Sequence, residues 1–404
     1  MKTKNLMAAM LVLLTAGCSQ NEITEVSPDA NPAIGFGVYT GVQTRGQDMT
    51  TATMQKPVAD GGGFGIMGYY TGRSQWASAD KNKVSPSFMY NQEVTYDKTG
   101  SGAWTYSPVK YWPNNTDDKV SFFAYAPYDK TGTAHGITVS KITDTGTPAI
   151  TFALKDKDNL TDMVDLVVAK ALDKTYNDGT ISFQFEHTLS KISFKVKAGA
   201  DYADMDGTKS FIYVTKMWII GANGDMSEKG SLKNANSKFY TKAAWKDLHW
   251  DYTNVTIPAA DFDIKGLMNV DGGITELKDD GSTEQIYGVK VTSTTPKDLF
   301  KPSEFLYLIP VNDNDVTVNN DKNQGGCAEG DIQIGFHYDI VTQSAGNTSQ
   351  YLASHAEAAV SLPAHHMKRN KAYIYTFTIN LRKIEVSAAD VTKWGDAEGD
   401  FTVQ

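Results

Sequence analysis

The stretch Ala372-Tyr373-Ile374-Tyr375-Thr376-Phe377-Thr378-Ile379 decides the fold class. Tyr373, Tyr375, Phe377 and Ile379 recur at every second position, and the residues between them are largely β-branched. That period belongs to a strand with one apolar face. The same reading applies to Lys119-Val120-Ser121-Phe122-Phe123-Ala124-Tyr125-Ala126, to Ile181-Ser182-Phe183-Gln184-Phe185 and to Lys191-Ile192-Ser193-Phe194-Lys195-Val196. Clusters of Gly, Asn, Asp and Pro punctuate these runs as turns. No long amphipathic helical pattern competes with them, and only 201–205 and 243–248 read as short turns of helix. Repeated short strands at this spacing predict an all-β chain of sandwich type. No repeat of 20 to 50 residues is visible, which excludes a solenoid or propeller.

The chain has 404 residues, 41% hydrophobic and 21% charged, a composition that argues against a disordered tail or a disulfide scaffold. Its length predicts two bodies rather than one core. The turn signal Asn177-Asp178-Gly179 divides a strand cluster ending at Val167-Val168-Ala169 from one starting at Ile181, placing the domains at 46–178 and 179–382. A net charge of −9 without any Lys/Arg-rich stripe excludes a chain built to neutralise phosphates, so nucleic acid is not an expected partner. Of 38 basic residues only Arg45, Arg73, Arg369 and Arg382 are arginine, so an arginine-specific protease meets few targets.

Residues 1–17 read as an export signal: Lys2 and Lys4 form a positive start, Leu6 to Leu14 a short apolar run, and Ala16 and Gly17 precede Cys18. The run is too short to span a bilayer. Leu14-Thr15-Ala16-Gly17-Cys18 resembles a bacterial lipobox, with Leu one position early, in which Cys18 is acylated; an ordinary secretory signal with an incidental cysteine is the alternative. With Cys18 acylated, Cys327 has no disulfide partner. A polar tether then leads to Ile34-Gly35-Phe36-Gly37-Val38-Tyr39-Thr40, a strand whose Ile34, Phe36 and Val38 share one face and are suited to filling a groove. Gly41-Val42-Gln43-Thr44-Arg45-Gly46-Gln47-Asp48 is polar and glycine-flanked, which leaves Arg45 accessible.

Several chemical motifs fail on their context. Gly63-Phe64-Gly65-Ile66-Met67-Gly68 fits a dinucleotide fingerprint only as letters, because Tyr69-Tyr70-Thr71-Gly72 continues as strand and turn where a helix is required. His187 and the pair His365-His366 lack zinc-ligand spacing. The cluster Asn312-Asp313-Asn314-Asp315 lacks the glycine and terminal Glu of an EF-hand. Cys327 has no activating histidine in the neighbouring sequence. No catalytic residue, cofactor or metal ligand is assigned.

The chain resembles the fimbrillin family of Bacteroidota, the lipoprotein-precursor pilins of type V pili. The motifs that carry the resemblance follow one another in order: the leader strand with Thr44-Arg45-Gly46, Phe64-Gly65-Ile66-Met67-Gly68-Tyr69-Tyr70, Trp104 to Pro113, Val120 to Tyr128, Asp165 to Ala169, and Phe185 to Phe194. The resemblance implies two tandem transthyretin-like β-sandwich domains after a lipoprotein signal peptide. It also implies export to the outer membrane and cell surface with a lipid such as palmitate on Cys18, followed by cleavage between Arg45 and Gly46 by an arginine-specific protease. The cut releases residues 18–45 and opens a groove with two unpaired strand edges. Another pilin subunit then supplies a donor strand, which implies a fimbrium serving adhesion. Three to five buried side chains on that strand gain roughly 5 to 15 kcal/mol before association costs. Residues 383–404 alternate like strands at Ile384 and Val386 and again at Phe401 and Val403, so they are the expected donor; the alternative is two edge strands of the second sandwich. A reading of another class also stands: a monomeric, lipid-anchored binding protein for a glycan or host ligand that keeps its first strand.

Overall fold

Two sheet systems form around the strands Lys119–Ala126 and Lys371–Ile379. The computed structural model describes residues 31–39, 48–155, 160–202, 209–224, 234–312, 325–380, 384–386 and 390–393. The chain is nearly all β, as expected.

The first system is a six-stranded antiparallel sheet in the order Glu186–His187, Val167–Lys174, Lys119–Ala126, Phe64–Gly72, Met89–Tyr96, Trp104–Thr105. Both faces of this sheet are covered. Phe122 and Ala124 point into a core with Phe64, Ile66 and Val120, while Phe123 and Tyr125 point into a second core with Met67 and Tyr69. Burial on both sides explains why Val120 to Ala126 is almost continuously apolar. Gly65 is needed here: a Cβ on it would lie 2.4 Å from the Tyr125 ring, so this glycine serves sheet packing.

In the second system Ser190–Ala198 runs parallel to Lys371–Ile379 over nine residue pairs. Tyr373, Tyr375, Phe377 and Ile379 are all buried, as their alternation requires. They face a larger sheet in which Ser210–Ile219, Gln333–Ser344 and Asn347–Ser361 are neighbours. Phe336 meets Phe377 edge-on across the gap, with ring centroids 4.4 Å apart.

The structure changes the domain plan in two ways. Ile181–Gln184 and Glu186–His187 pair with the leader strand and with Val167–Lys174, so the first system ends after His187 rather than after Asp178. The turn at Asn177 to Gly179 is real, but it joins strands within one system. In addition, Ile137–Val139 and Ile150–Ala153 pair onward with Lys242–Lys246 and His249–Thr256 in a four-stranded sheet drawn from both halves. One continuous core therefore runs from Met67 to Ile379.

The helical turn expected at 243–248 is also corrected. Lys242–Lys246 is a strand, because Ala243 and Trp245 alternate onto one buried face against Phe152 and Ile150. The turn expected at 201–205 is met in part by a 3₁₀ turn at Ala200–Tyr202; residues 203–205 lie outside the described residues.

Candidate functional site

The leader strand Phe36–Tyr39 pairs in parallel with Ile181–Gln184, forming a two-stranded sheet over one face of the six-stranded sheet. Its backbone is zipped on two flanks in succession. Upstream, the Ile34 N–H donates to the Lys110 carbonyl at 2.9 Å, and Trp112 N–H reaches Pro32 at 3.2 Å. Downstream, the Ile181 N–H donates to Gly35 and the Phe185 N–H to Tyr39, both at 2.9 Å. The strand thus lies between two chain edges, at 110–112 and 181–185.

Side chains complete the seat. Ile34 is 1% and Phe36 5% exposed, and Val38 is half-buried against the same core. The Phe36 ring lies 5.2 Å from Tyr106, 5.7 Å from Phe122 and 5.8 Å from Phe183, an aromatic box on three sides. Burial pushes the Tyr106 phenol up to about 12, so its hydroxyl stays protonated and donates to the Ile34 carbonyl at 2.8 Å.

Directly past the segment that carries Arg45, the chain is tied down by buried charge. The Asp48 carboxylate is fully buried and accepts from Lys191 Nζ at 2.6 and 2.7 Å and from the Tyr307 hydroxyl at 2.9 Å. The Met49 N–H donates to Asp165 Oδ2 at 2.9 Å, and the same oxygen lies 2.7 Å from His187 Nδ1. Burial raises the Asp165 pKa, with His187 opposing. Thr50 then caps the short helix Thr51–Met54. The leader strand is held by apolar packing and short flanks; the chain after it is held by an ion pair. Sequence reasoning missed this anchor, since Asp48, Asp165, His187, Lys191 and Tyr307 share no local spacing.

A model of the family described as fimbrillin-like matches residues 50–394, most of this chain. The chain belongs to the fimbrillin-like family. Fimbrium subunit Fim1C of Phocaeicola vulgatus is 34% identical to this fimbrillin-like chain over 421 residues, covering all of both chains. The crystal structure of a fimbrial protein from Bacteroides vulgatus superposes with a TM-score of 0.69 at 30% identity, covering 90% of this chain and 99% of that one.

The expected donor residues divide. Ile384–Val386 and Asp390–Lys393 both pair antiparallel with Lys371–Ile379 on the side away from Ser190–Ala198, so within this fimbrillin-like subunit they form the sheet's outer edge. Val386 packs against the core, and the second of these strands falls in the segment that sequence reading left polar. Cys18, Arg45, Gly46, Phe401 and Val403 lie outside the described residues, as does the Asn/Asp cluster beyond Asn312. Cys327 is buried with a thiol pushed up to about 11 by burial.

Proposed function

We propose that this chain is a structural pilin, exported as an outer-membrane lipoprotein through Cys18 and clipped between Arg45 and Gly46. Donor-strand exchange then polymerises it into an adhesive cell-surface fimbrium. The observation that carries the reading is the seat of the leader strand. Ile34, Phe36 and Val38 fill an apolar slot between two backbone edges, while the chain from Asp48 onward is fastened by the pair with Lys191. Removal of residues up to Arg45 leaves unpaired N–H groups at Ile181 and Phe185 and an open aromatic box, a surface suited to an incoming strand. The C-terminal residues Ile384, Val386, Phe401 and Val403 are the proposed donor, leaving the edge of Lys371–Ile379 to enter a neighbour. Such a head-to-tail contact does not close on itself and propagates a filament. Full-length relationship to a fimbrium subunit supports the same reading.

The test is to treat the purified precursor with an arginine-specific protease. The expected product begins at Gly46 and assembles into a ladder of multimers, whereas Arg45→Ala stays whole. A clipped chain that stays monomeric with its C-terminus intact overturns polymerisation by this route.

A further inference from the structure

We propose that His337, Asp339 and His355 form a surface site for a divalent transition metal of the zinc class, with Glu276 as the orienting carboxylate. Asp339 lies directly opposite His355 in the pairing of Gln333–Ser344 with Asn347–Ser361, and His337 shares its face two residues earlier. Glu276 comes from the next strand, Ile274–Leu277. Three adjacent strands thus deliver two imidazoles and two carboxylates to one patch.

The spacing suits an ion. His355 Nδ1 lies 2.7 Å from Asp339 Oδ1, His337 Nδ1 lies 4.0 Å from that oxygen, and ligand atoms of the three residues all fall within 4.8 Å of one another. A tetrahedral ion with bonds near 2.0–2.1 Å holds its ligand atoms about 3.3 Å apart, so changes in ligand separation of about 0.6 to at most about 1.5 Å, within the reach of side-chain rotation, complete the set. His355 Nε2 faces Glu276 Oε1 at 3.0 Å. A metal on Nδ1 leaves the proton on Nε2 to be donated to Glu276, the carboxylate–histidine–metal arrangement that fixes tautomer and ring orientation.

Charge points the same way. Asp339 and Glu276 are nearly fully buried carboxylates, and among the described residues neither forms an ion pair with a lysine or arginine. Among the described residues their contacts with basic side chains within 4 Å are to the two histidines, so a divalent cation at this patch offsets buried negative charge that no lysine or arginine pairs directly. Thr215 Oγ1, 2.6 Å from His337 Nδ1, is within reach to yield that nitrogen to an ion. His337 and His355 are partly exposed, which gives the ion an entry path and leaves its fourth position open to water or to a group on another molecule.

Full-length protein stripped with EDTA is titrated with ZnCl₂ alone, by calorimetry and by competition with a chromophoric chelator at pH 7.5. The expected result is one equivalent bound with a Kd of about 10 µM or tighter, and a zinc-dependent rise in Tm. His337→Ala and His355→Ala abolish both signals, Glu276→Gln weakens binding about 10- to 100-fold, and His249→Ala changes nothing. Each variant's Tm in EDTA checks that it folds, and the half-exposed His337→Gln serves if another does not. Absence of saturable binding up to about 100 µM zinc, or binding that survives His337→Ala/His355→Ala, overturns the site and leaves His355 as a hydrogen-bonded bridge between two carboxylates.

Discussion

Replacing Phe36 by alanine separates a detachable strand from an integral one. The ring is buried on three sides by Tyr106, Phe122 and Phe183, and truncation of such a side chain costs about 3 to 5 kcal/mol. If residues 31–39 open as a unit, that loss falls on local opening and not on the rest of the fold. The Ile181 and Phe185 amides, which donate to Gly35 and Tyr39, report the opening directly. Their hydrogen-exchange protection in the uncleaved precursor is expected to fall roughly 10²- to 4 × 10³-fold, at about 1.4 kcal/mol per decade. Amides between Ser190–Ala198 and Lys371–Ile379 keep their protection until the chain unfolds globally. The reasoning is refuted if both amide sets lose protection together and the urea midpoint drops in step, because the leader is then part of a single cooperative core.

Other consequences follow from the same coordinates. Lys191→Ala leaves the Asp48 carboxylate buried without its cation and is expected to cost about 3 to 5 kcal/mol in urea unfolding; a cost below about 1 kcal/mol means that water reaches Asp48. In protein lacking Cys18, the Cys327 thiol, raised to about 11, is expected to react with a disulfide reagent at pH 8 about 100-fold more slowly than an ordinary thiol, and burial slows it further. Unfolding in urea should abolish that difference. Burial lowers the His366 pKa from 6.5 to about 4, ahead of the charges of Lys368 and His365. The unfolded chain therefore binds a proton between those values that the folded chain refuses, so His366 lowers stability as pH falls from about 6.5 to about 4. Native and His366→Gln proteins compared by denaturation across that window should diverge in slope; parallel curves dismiss the effect.

Much of the fold was written in side-chain periodicity. Tyr373 to Ile379 alternate because one face is buried, and the structure buries those residues. Periodicity also marked Ile34, Phe36 and Val38 as one face of a strand, and all three pack into the same core. It did not show which strands pair. Ile181–Gln184 read as the start of a second body because the turn before it is strong, yet its partner lies at Phe36–Tyr39, far back along the chain. Ala243 and Trp245 were misread because a short run with small residues fits either period until its partner, Ile150–Ala153, supplies the hydrogen bonds. Charged groups were the least legible. Asp48 and Lys191 look like ordinary surface residues until the fold buries them together. His337 and Asp339 share a face two residues apart on one strand, but His355 joins them only through cross-strand register, which spacing motifs for helices and loops do not describe.

The parallel pairing of Ser190–Ala198 with Lys371–Ile379 has a mechanical meaning for a filament assembled as proposed. Tension from a neighbour seated against Ile181–Gln184 passes into the start of the first strand, and tension through the C-terminal segment leaves from the end of the second. Because the strands run the same way, pulling on these opposite ends slides one along the other, so the ladder of nine residue pairs resists together and does not peel open one bond at a time. The subunit would then meet shear flow as a clasp, with its yield force set by the ladder between Ser190–Ala198 and Lys371–Ile379.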